Sequence, residues 1–262
     1  VFKWTGSVWV QQGNKLVGTG AVGNAQQGMS VGLSADGRTA IIGGMADNSS
    51  QGGAWIFTGD GLGNWTQEGN KLVGTGAVGA ARQGVSVAIS ADGNTAIVGG
   101  NYDNGSQGAA WVYTRSGNTW SQQGNKLVGS GASGTFIYQG QSVSISADGN
   151  TVVIGGPSDN NAQGASWVFT RSGNAWTQQG TKLVGSGSIG PLVGQGSGVA
   201  LSADGRTMML GGYYDDNDLG AAWAFTHLPV QTTPAISSFS PSSGVVGSLV
   251  TVSGTDLNNP TS

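Results

Sequence analysis

Apolar residues in this chain fall into short runs separated by glycine, asparagine and aspartate, and no long stretch carries a helical period. One copy of the pattern contains four such runs. The first is Trp-Ser-Gln-Gln-Gly-Asn-Lys-Leu-Val-Gly-Ser at 120–130, irregular around its glycine. Ser-Val-Ser-Ile-Ser follows at 142–146, Thr-Val-Val-Ile-Gly at 151–155, and Ala-Ser-Trp-Val-Phe-Thr-Arg at 165–171. These lengths and their β-branched and aromatic content predict four strands. Between the second and third lies Ala-Asp-Gly-Asn, whose Asp-Gly pair marks a tight hairpin because both central residues tolerate positive φ. Between the fourth and the next first strand lies Ser-Gly-Asn, a second hairpin signal. The Gly-Gly pair that ends the third strand marks a place where backbones crowd together.

The pattern repeats. Asp36, Asp92, Asp148 and Asp204 lie 56 positions apart, and so do Gly28, Gly84, Gly140 and Gly196, and Trp55, Trp111, Trp167 and Trp223. A second series, Trp9, Trp65, Trp120 and Trp176, steps by 56, 55 and 56, and the odd residue is gained and lost in loops. A period of this size predicts a propeller or a solenoid, and four antiparallel strands per period have the dimensions of a propeller blade. The expected fold class is therefore all-β: a β-propeller, or a segment of one, with four-stranded antiparallel blades. Residues 1–226 form this region, with the tail of one blade followed by four full repeats. Val1–Trp9 aligns with Val112–Trp120, so the chain is expected to start inside a fourth strand. The last copy is expected to own its fourth strand at Ala221–Thr226, with further blades, an open array or a neighbouring chain completing the edges. Residues 227–234, rich in Pro and Thr, read as a linker. Residues 235–262 bring a new alternation, and both ends are expected to cut through domains.

Composition changes this picture little. The 262 residues include 50 glycines and only 9% charged residues, which suits short strands and tight turns and excludes an all-α protein. A net charge of -3 with scattered basic residues offers no phosphate-binding face, so no nucleic-acid partner is expected. The absence of cysteine removes disulfides, thiolate metal sites and cysteine nucleophiles. No apolar run approaches the roughly 20 residues of a membrane-spanning helix.

The segment Gln83–Thr114, QGVSVAISADGNTAIVGGNYDNGSQGAAWVYT, resembles an FG-GAP repeat, the blade unit of integrin α-subunit propellers and of many bacterial surface proteins. Gln stands where that family has Phe, and its GAP triplet appears as Gly-Gly followed by Met, Asn, Pro or Tyr. The family's calcium loop would occupy the hairpin where this chain has only Ser-Ala-Asp-Gly. One carboxylate does not supply six to eight oxygens, so the family's calcium loop is not carried over; no cofactor is expected, with calcium as the alternative. Residues 234–257, PAISSFSPSSGVVGSLVTVSGTDL, resemble the opening of an IPT/TIG domain, which implies an immunoglobulin-like β-sandwich, present here in part. Together the two resemblances imply an extracellular or cell-surface protein of bacterial type, acting in adhesion, with a cell-surface protein, a glycan or copies of itself as partner.

Individual residues sharpen the expectations. Trp55, Trp111, Trp167 and Trp223 are expected in the blade core, where each indole removes about 150–250 Å² from water. Trp9, Trp65, Trp120 and Trp176, beside the outer turns, are expected to be structural, with sugar stacking as the alternative. Lys15, Lys71, Lys126 and Lys182 recur in Lys-Leu-Val-Gly and read as guards of an edge strand. The Asp-Asn loops at Asp47, Asp103, Asp159 and Asp215 suit turn-making, and the richest of them, Asp215, Asp216 and Asp218, is the candidate metal site. His227 is a lone histidine with no assigned role. No constellation for nucleophilic, zinc or phosphate chemistry is present. The divergent loops on a repeated frame are the expected recognition surface, with Phe136, Ile137 and Tyr138 as the candidate ligand-binding residues. Ligand binding or adhesion through the blade rims is the expected function. A fibre built by strand addition is the alternative, and a polysaccharide hydrolase or lectin is the second alternative.

Overall fold

The computed structural model describes residues 1–226, 235–241, 243, 249 and 251–255. The chain divides into two compact units, Val1–Thr226 and His227–Ser262. The first opens with a two-stranded hairpin of β1 (Phe2–Trp4) and β2 (Trp9–Gln11). A four-stranded sheet follows, of β3 (Ser30–Leu33), β4 (Thr39–Gly44), β5 (Gly53–Gly59) and β6 (Trp65–Gln67). The second contains β7 (Ser86–Ile89), β8 (Thr95–Gly100), β9 (Ala109–Ser116) and β10 (Thr119–Gln122). The third contains β11 (Ser142–Ile145), β12 (Thr151–Gly156), β13 (Ala165–Ser172) and β14 (Ala175–Gln178). The last has three strands, β15 (Gly198–Leu201), β16 (Thr207–Gly212) and β17 (Ala221–Thr226). Within each sheet the strands pair antiparallel with their sequence neighbours, isolated parallel bridges such as Gly108–Gln139 link one repeat to the next, and the first strands of successive sheets lie side by side, so the unit is a propeller-like fold. In the second unit β18 (Ala235–Ser240) and β19 (Thr251–Thr255) pair antiparallel. The expected linker 227–234 and His227 lie outside the described residues.

One expectation about phase is corrected. The Trp120 strand does not open a blade. It is the outer strand of the preceding sheet, because Ser116 and Thr119 pair across the two-residue turn Gly117–Asn118, and so tight a turn leaves the two strands no choice but to pair with each other. The Trp-bearing strand is therefore third in each sheet. Among the described residues the last sheet lacks an outer strand, and β1–β2, a two-stranded sheet, aligns in the repeat with the two outer strands of the others.

Each indole is held in a slot made of backbone. Trp55, Trp111 and Trp167 are fully buried. A Cβ on Gly129 would overlap the Trp167 ring, and one on Gly156 would lie 2.8 Å from its Cζ3, so the ring is pressed between two glycines. The indole N–H donates to the Ser130 carbonyl at 2.7 Å, and the same bond recurs from Trp55, Trp111 and Trp223. The glutamine of each Gln-Gly pair locks the arrangement: Gln139 Oε1 accepts the Gly129 N–H at 2.6 Å and its Nε2 donates to the Gly129 carbonyl at 3.0 Å. Gln83 and Gln195 do the same to Gly74 and Gly185, and all three are fully buried. An amide is the side chain that satisfies a backbone donor and acceptor together.

The Asp-Gly hairpins stack from sheet to sheet, with the Ala35 N–H donating to the Ala91 carbonyl, Ala91 to Ala147 and Ala147 to Ala203. Within each, the aspartate is a turn-former. Asp92 accepts the Ser90 hydroxyl at 2.5 Å and the N–H and side-chain amide of Asn94 at 3.0 Å. Burial pushes the Asp92 and Asp148 carboxyls up, but these hydrogen bonds outweigh it and hold both below the ordinary 3.8. A carboxylate with a depressed folded pKa contributes stability above its unfolded value and loses it as pH falls through the folded value. The melting temperature is therefore expected to be insensitive to these two residues from neutral pH to about 4.5 and to fall below about 4. The double variant Asp92→Asn with Asp148→Asn should show a shallower acid limb in melts between pH 7 and 2.5. An unchanged acid limb would remove the hairpins from the account.

Candidate functional site

Four loops beside the cavity described below share one conformation. After each Gly-Gly pair the chain makes a turn in which three successive residues take positive φ, such as Asn160, Asn161 and Ala162 at 49°, 56° and 66°. The aspartate that opens each turn anchors it. Asp103 Oδ1 accepts the Val78 N–H at 2.7 Å, and its Oδ2 pairs with Lys126 Nζ at 2.5 Å. Lys71 pairs with Asp47 and Lys182 with Asp159 in the same way. These lysines do not guard edges, as their sequence context suggested. They neutralise carboxylates that are almost fully buried, and buried charge persists only when paired.

Asp215 Oδ1 likewise accepts the Ile189 N–H at 2.7 Å. Asp215 is buried, Asp216 half-buried and Asp218 exposed, and among the described residues no three acidic or histidine side chains form a group fit to hold a metal ion. Of the candidate metal residues Asp215, Asp216 and Asp218, the first commits one carboxylate oxygen to the backbone of a neighbouring loop.

The candidate ligand-binding residues divide. Ile137 is fully buried and packs in the core with Trp167, so it is not a surface residue. Its copies Ala81 and Val193 are also buried. Phe136 is 56% exposed and lies parallel to Tyr138 at 6.3 Å between ring centroids. Tyr138 has φ 61°. That backbone sends the residue after Ile137 to the opposite side of the loop, where Tyr138 lines a cavity of about 500 Å³.

The cavity draws residues from all four sheets. Position 82, 138 and 194 of the Gln-Gly loops, all at positive φ, carry Arg, Tyr and Gly. The two positions after Gly-Gly supply Asn101 and Tyr102 in one copy and Tyr213 and Tyr214 in another. The Arg82 guanidinium lies 3.8 Å from the Tyr102 ring centroid, and Tyr102 and Tyr138 are 5.4 Å apart. Asn101 donates to Gln141 Oε1 at 2.5 Å, while its own buried Oδ1 has no hydrogen-bond partner among the described residues. A hydrogen bond to Tyr214, then partial burial, raises the Tyr213 phenol above its ordinary value. The lining contains aromatic and aliphatic side chains, amides, hydroxyls and one guanidinium, and among the described residues no carboxylate or imidazole.

No protein-family model matches the chain, and no curated protein matches it. Solved structures do. A candidate 6-phosphogluconolactonase from Bacteroides uniformis is 13% identical over 76% of this chain and 57% of its own, with a TM-score of 0.50. A candidate TolB from Agrobacterium tumefaciens is 14% identical over 75% of this chain and 57% of its own, with a TM-score of 0.43. This chain is a propeller-like fold. The likeness to the Bacteroides protein extends to that fold and no further, and the chain spans little more than half the length of either neighbour. A likeness of fold alone leaves function to the site.

Proposed function

We propose that the chain is a non-catalytic recognition module of an extracellular bacterial surface protein, and that it binds a glycan in the cavity shared by its four sheets. The observation that carries this reading is the contrast between frame and lining. Trp, Gly, Gln and Asp recur in every copy, whereas the positions that reach the cavity carry Arg and Tyr at 82 and 138, and Asn and Tyr at 101 and 213. A rigid repeated frame that delivers a different side chain from each copy into one concavity is a binding surface. Tyr138 and the exposed Tyr213 and Tyr214 offer rings for the C–H side of a sugar, and Gln141 and Arg82 offer hydrogen bonds for its hydroxyls. General acid–base hydrolysis of a glycoside uses a pair of carboxylates, and the lining holds none. The FG-GAP resemblance of Gln83–Thr114 and the IPT/TIG resemblance of residues 234–257 support the surface location and the adhesive role.

A glycan array followed by calorimetry tests this. Tyr138→Ala and Tyr213→Ala should each weaken binding of the captured glycan about tenfold or more, roughly what one stacked ring contributes, with the melting temperature unchanged. A protein that captures no glycan, or binds equally well without both rings, would overturn the assignment. Release of reducing sugar on incubation with the captured glycan would replace it with the hydrolase reading.

A further inference from the structure

We infer that the glycan held in the shared cavity is an anionic one, and that the side chains of Arg82 and Gln141 receive its carboxylate or sulfate. The inference rests on the glycan reading above and narrows it to one class of sugar.

Arg82 is a cation without a counter-charge. Arg82, Arg115 and Arg171 are all half-buried. Arg115 pairs with Glu68 at 2.6 Å, and Arg171 donates to Asn150 Oδ1 at 2.9 Å and to Gln123 Oε1 at 3.3 Å. Arg82 differs from both. Its guanidinium lies over the Tyr102 ring, and among the described residues it forms no ion pair and its side chain no hydrogen bond. Asp103, the acid next to Tyr102 in the chain, is already committed to Lys126 and to the Val78 N–H. A guanidinium carries five N–H donors and no acceptor, and taking it partly out of water is costly unless it is paired. The Tyr102 ring supplies part of the missing attraction. A bound anion would supply the rest.

The amides beside Arg82 have the same polarity. Asn101 Nδ2 donates to Gln141 Oε1, and Asn101 Oδ1 is buried away from the cavity space. What Gln141 has left to offer is Nε2, a donor. Asn101 adjoins Tyr102, and the Gln141 N–H donates to the Tyr138 carbonyl at 3.0 Å, so both donor groups are carried by the loops that bring Tyr102 and Tyr138 together. A sugar hydroxyl donates as well as accepts and makes only partial use of such a wall. A carboxylate or sulfate oxygen accepts only, and its charge roughly doubles the strength of each bond. The chain as a whole is negative, at -3, yet among the described residues the lining holds no carboxylate to repel an anion. Tyr213 and Tyr214, exposed in the same cavity, remain for the uncharged face of the sugar.

A glycan array read as matched pairs tests this. It carries uronate oligosaccharides beside their carboxyl-reduced forms, and sulfated galactan oligosaccharides beside their desulfated forms. The acidic member of a pair should bind about tenfold or more tighter than the neutral one, the scale of hydrogen bonds to a charged group. Its affinity should fall as sodium chloride is added. Which pairs show the difference separates a uronate from a sulfate ester as the source of the charge. Arg82→Gln should remove both the preference and the salt dependence. Gln26 is the copy of Arg82 at the same φ of 55°, so the turn accommodates the change, and melts check that it does. Tyr138→Ala should weaken both members of a pair alike and keep the preference. Neutral glycans captured as tightly as their acidic partners, or an Arg82→Gln protein that retains the preference, would overturn this inference and leave the glycan reading in place. A chain that captures no glycan of either kind overturns both.

Discussion

Gly129→Ala is expected to cost about 3 kcal/mol or more and to abolish the cooperative transition of the third blade. The backbone at Gly129 needs no special φ, so the effect is one of space alone. A Cβ there would overlap Cδ1 and Cγ of Trp167. Overpacking usually costs about 1–3 kcal/mol because neighbours yield, but here neither side can yield. The indole is backed by Gly156 and tethered through its N–H to Ser130. Gly129 is held through both its N–H and its carbonyl by the buried Gln139. Gly198→Ala is the control: a Cβ there meets nothing within 4 Å, and the change should be near neutral. Urea denaturation followed by tryptophan fluorescence measures both. A Gly129→Ala protein as stable as its parent would mean that the slot is looser than described.

Lys126→Met is expected to destabilise by about 3–5 kcal/mol, the usual cost of leaving a buried charge without its partner. Asp103 is 1% exposed, and with Lys126 gone only the Val78 N–H would remain to its carboxylate. Adding Asp103→Asn should restore most of the loss, because a neutral amide oxygen keeps the Val78 bond without a buried charge. Urea midpoints at constant slope report the two changes. If the single variant unfolds at the parent's midpoint, the pair is a surface contact and not an anchor. The same substitution at Lys15, which has no acid within reach among the described residues, should leave the fold of the isolated chain unaffected.

Much of the frame was legible in the sequence because it depends on local chemistry. The Asp-Gly turns, the short strands and the buried indoles all follow from residues a few positions apart and from the period. The phase of the outer strand was misread although its signal was present, since the Ser-Gly-Asn turn at 172–174 already forces the strands on either side to pair. The lysines were misread for a different reason. Lys126 finds Asp103 across 23 positions, and nothing in the Lys-Leu-Val-Gly motif marks a partner in another loop. Ile137 and Tyr138 were grouped by adjacency, whereas the positive φ at 138 puts one in the core and the other in the cavity. The residues after Gly-Gly, Asn101, Tyr102, Tyr213 and Tyr214, were passed over, though their variation within an otherwise constant stretch was visible. What could not be read is that these positions from four copies converge.

The stretch that covers an indole and the strand that bears it lie in neighbouring periods: Gly18 covers Trp55, Gly74 covers Trp111 and Gly129 covers Trp167. Excising one whole period, wherever the cut falls, therefore splices every lid onto a new ring of the same kind. Loss or gain of a unit by unequal recombination would leave a foldable chain, and only the set of side chains facing the shared concavity would be reshuffled.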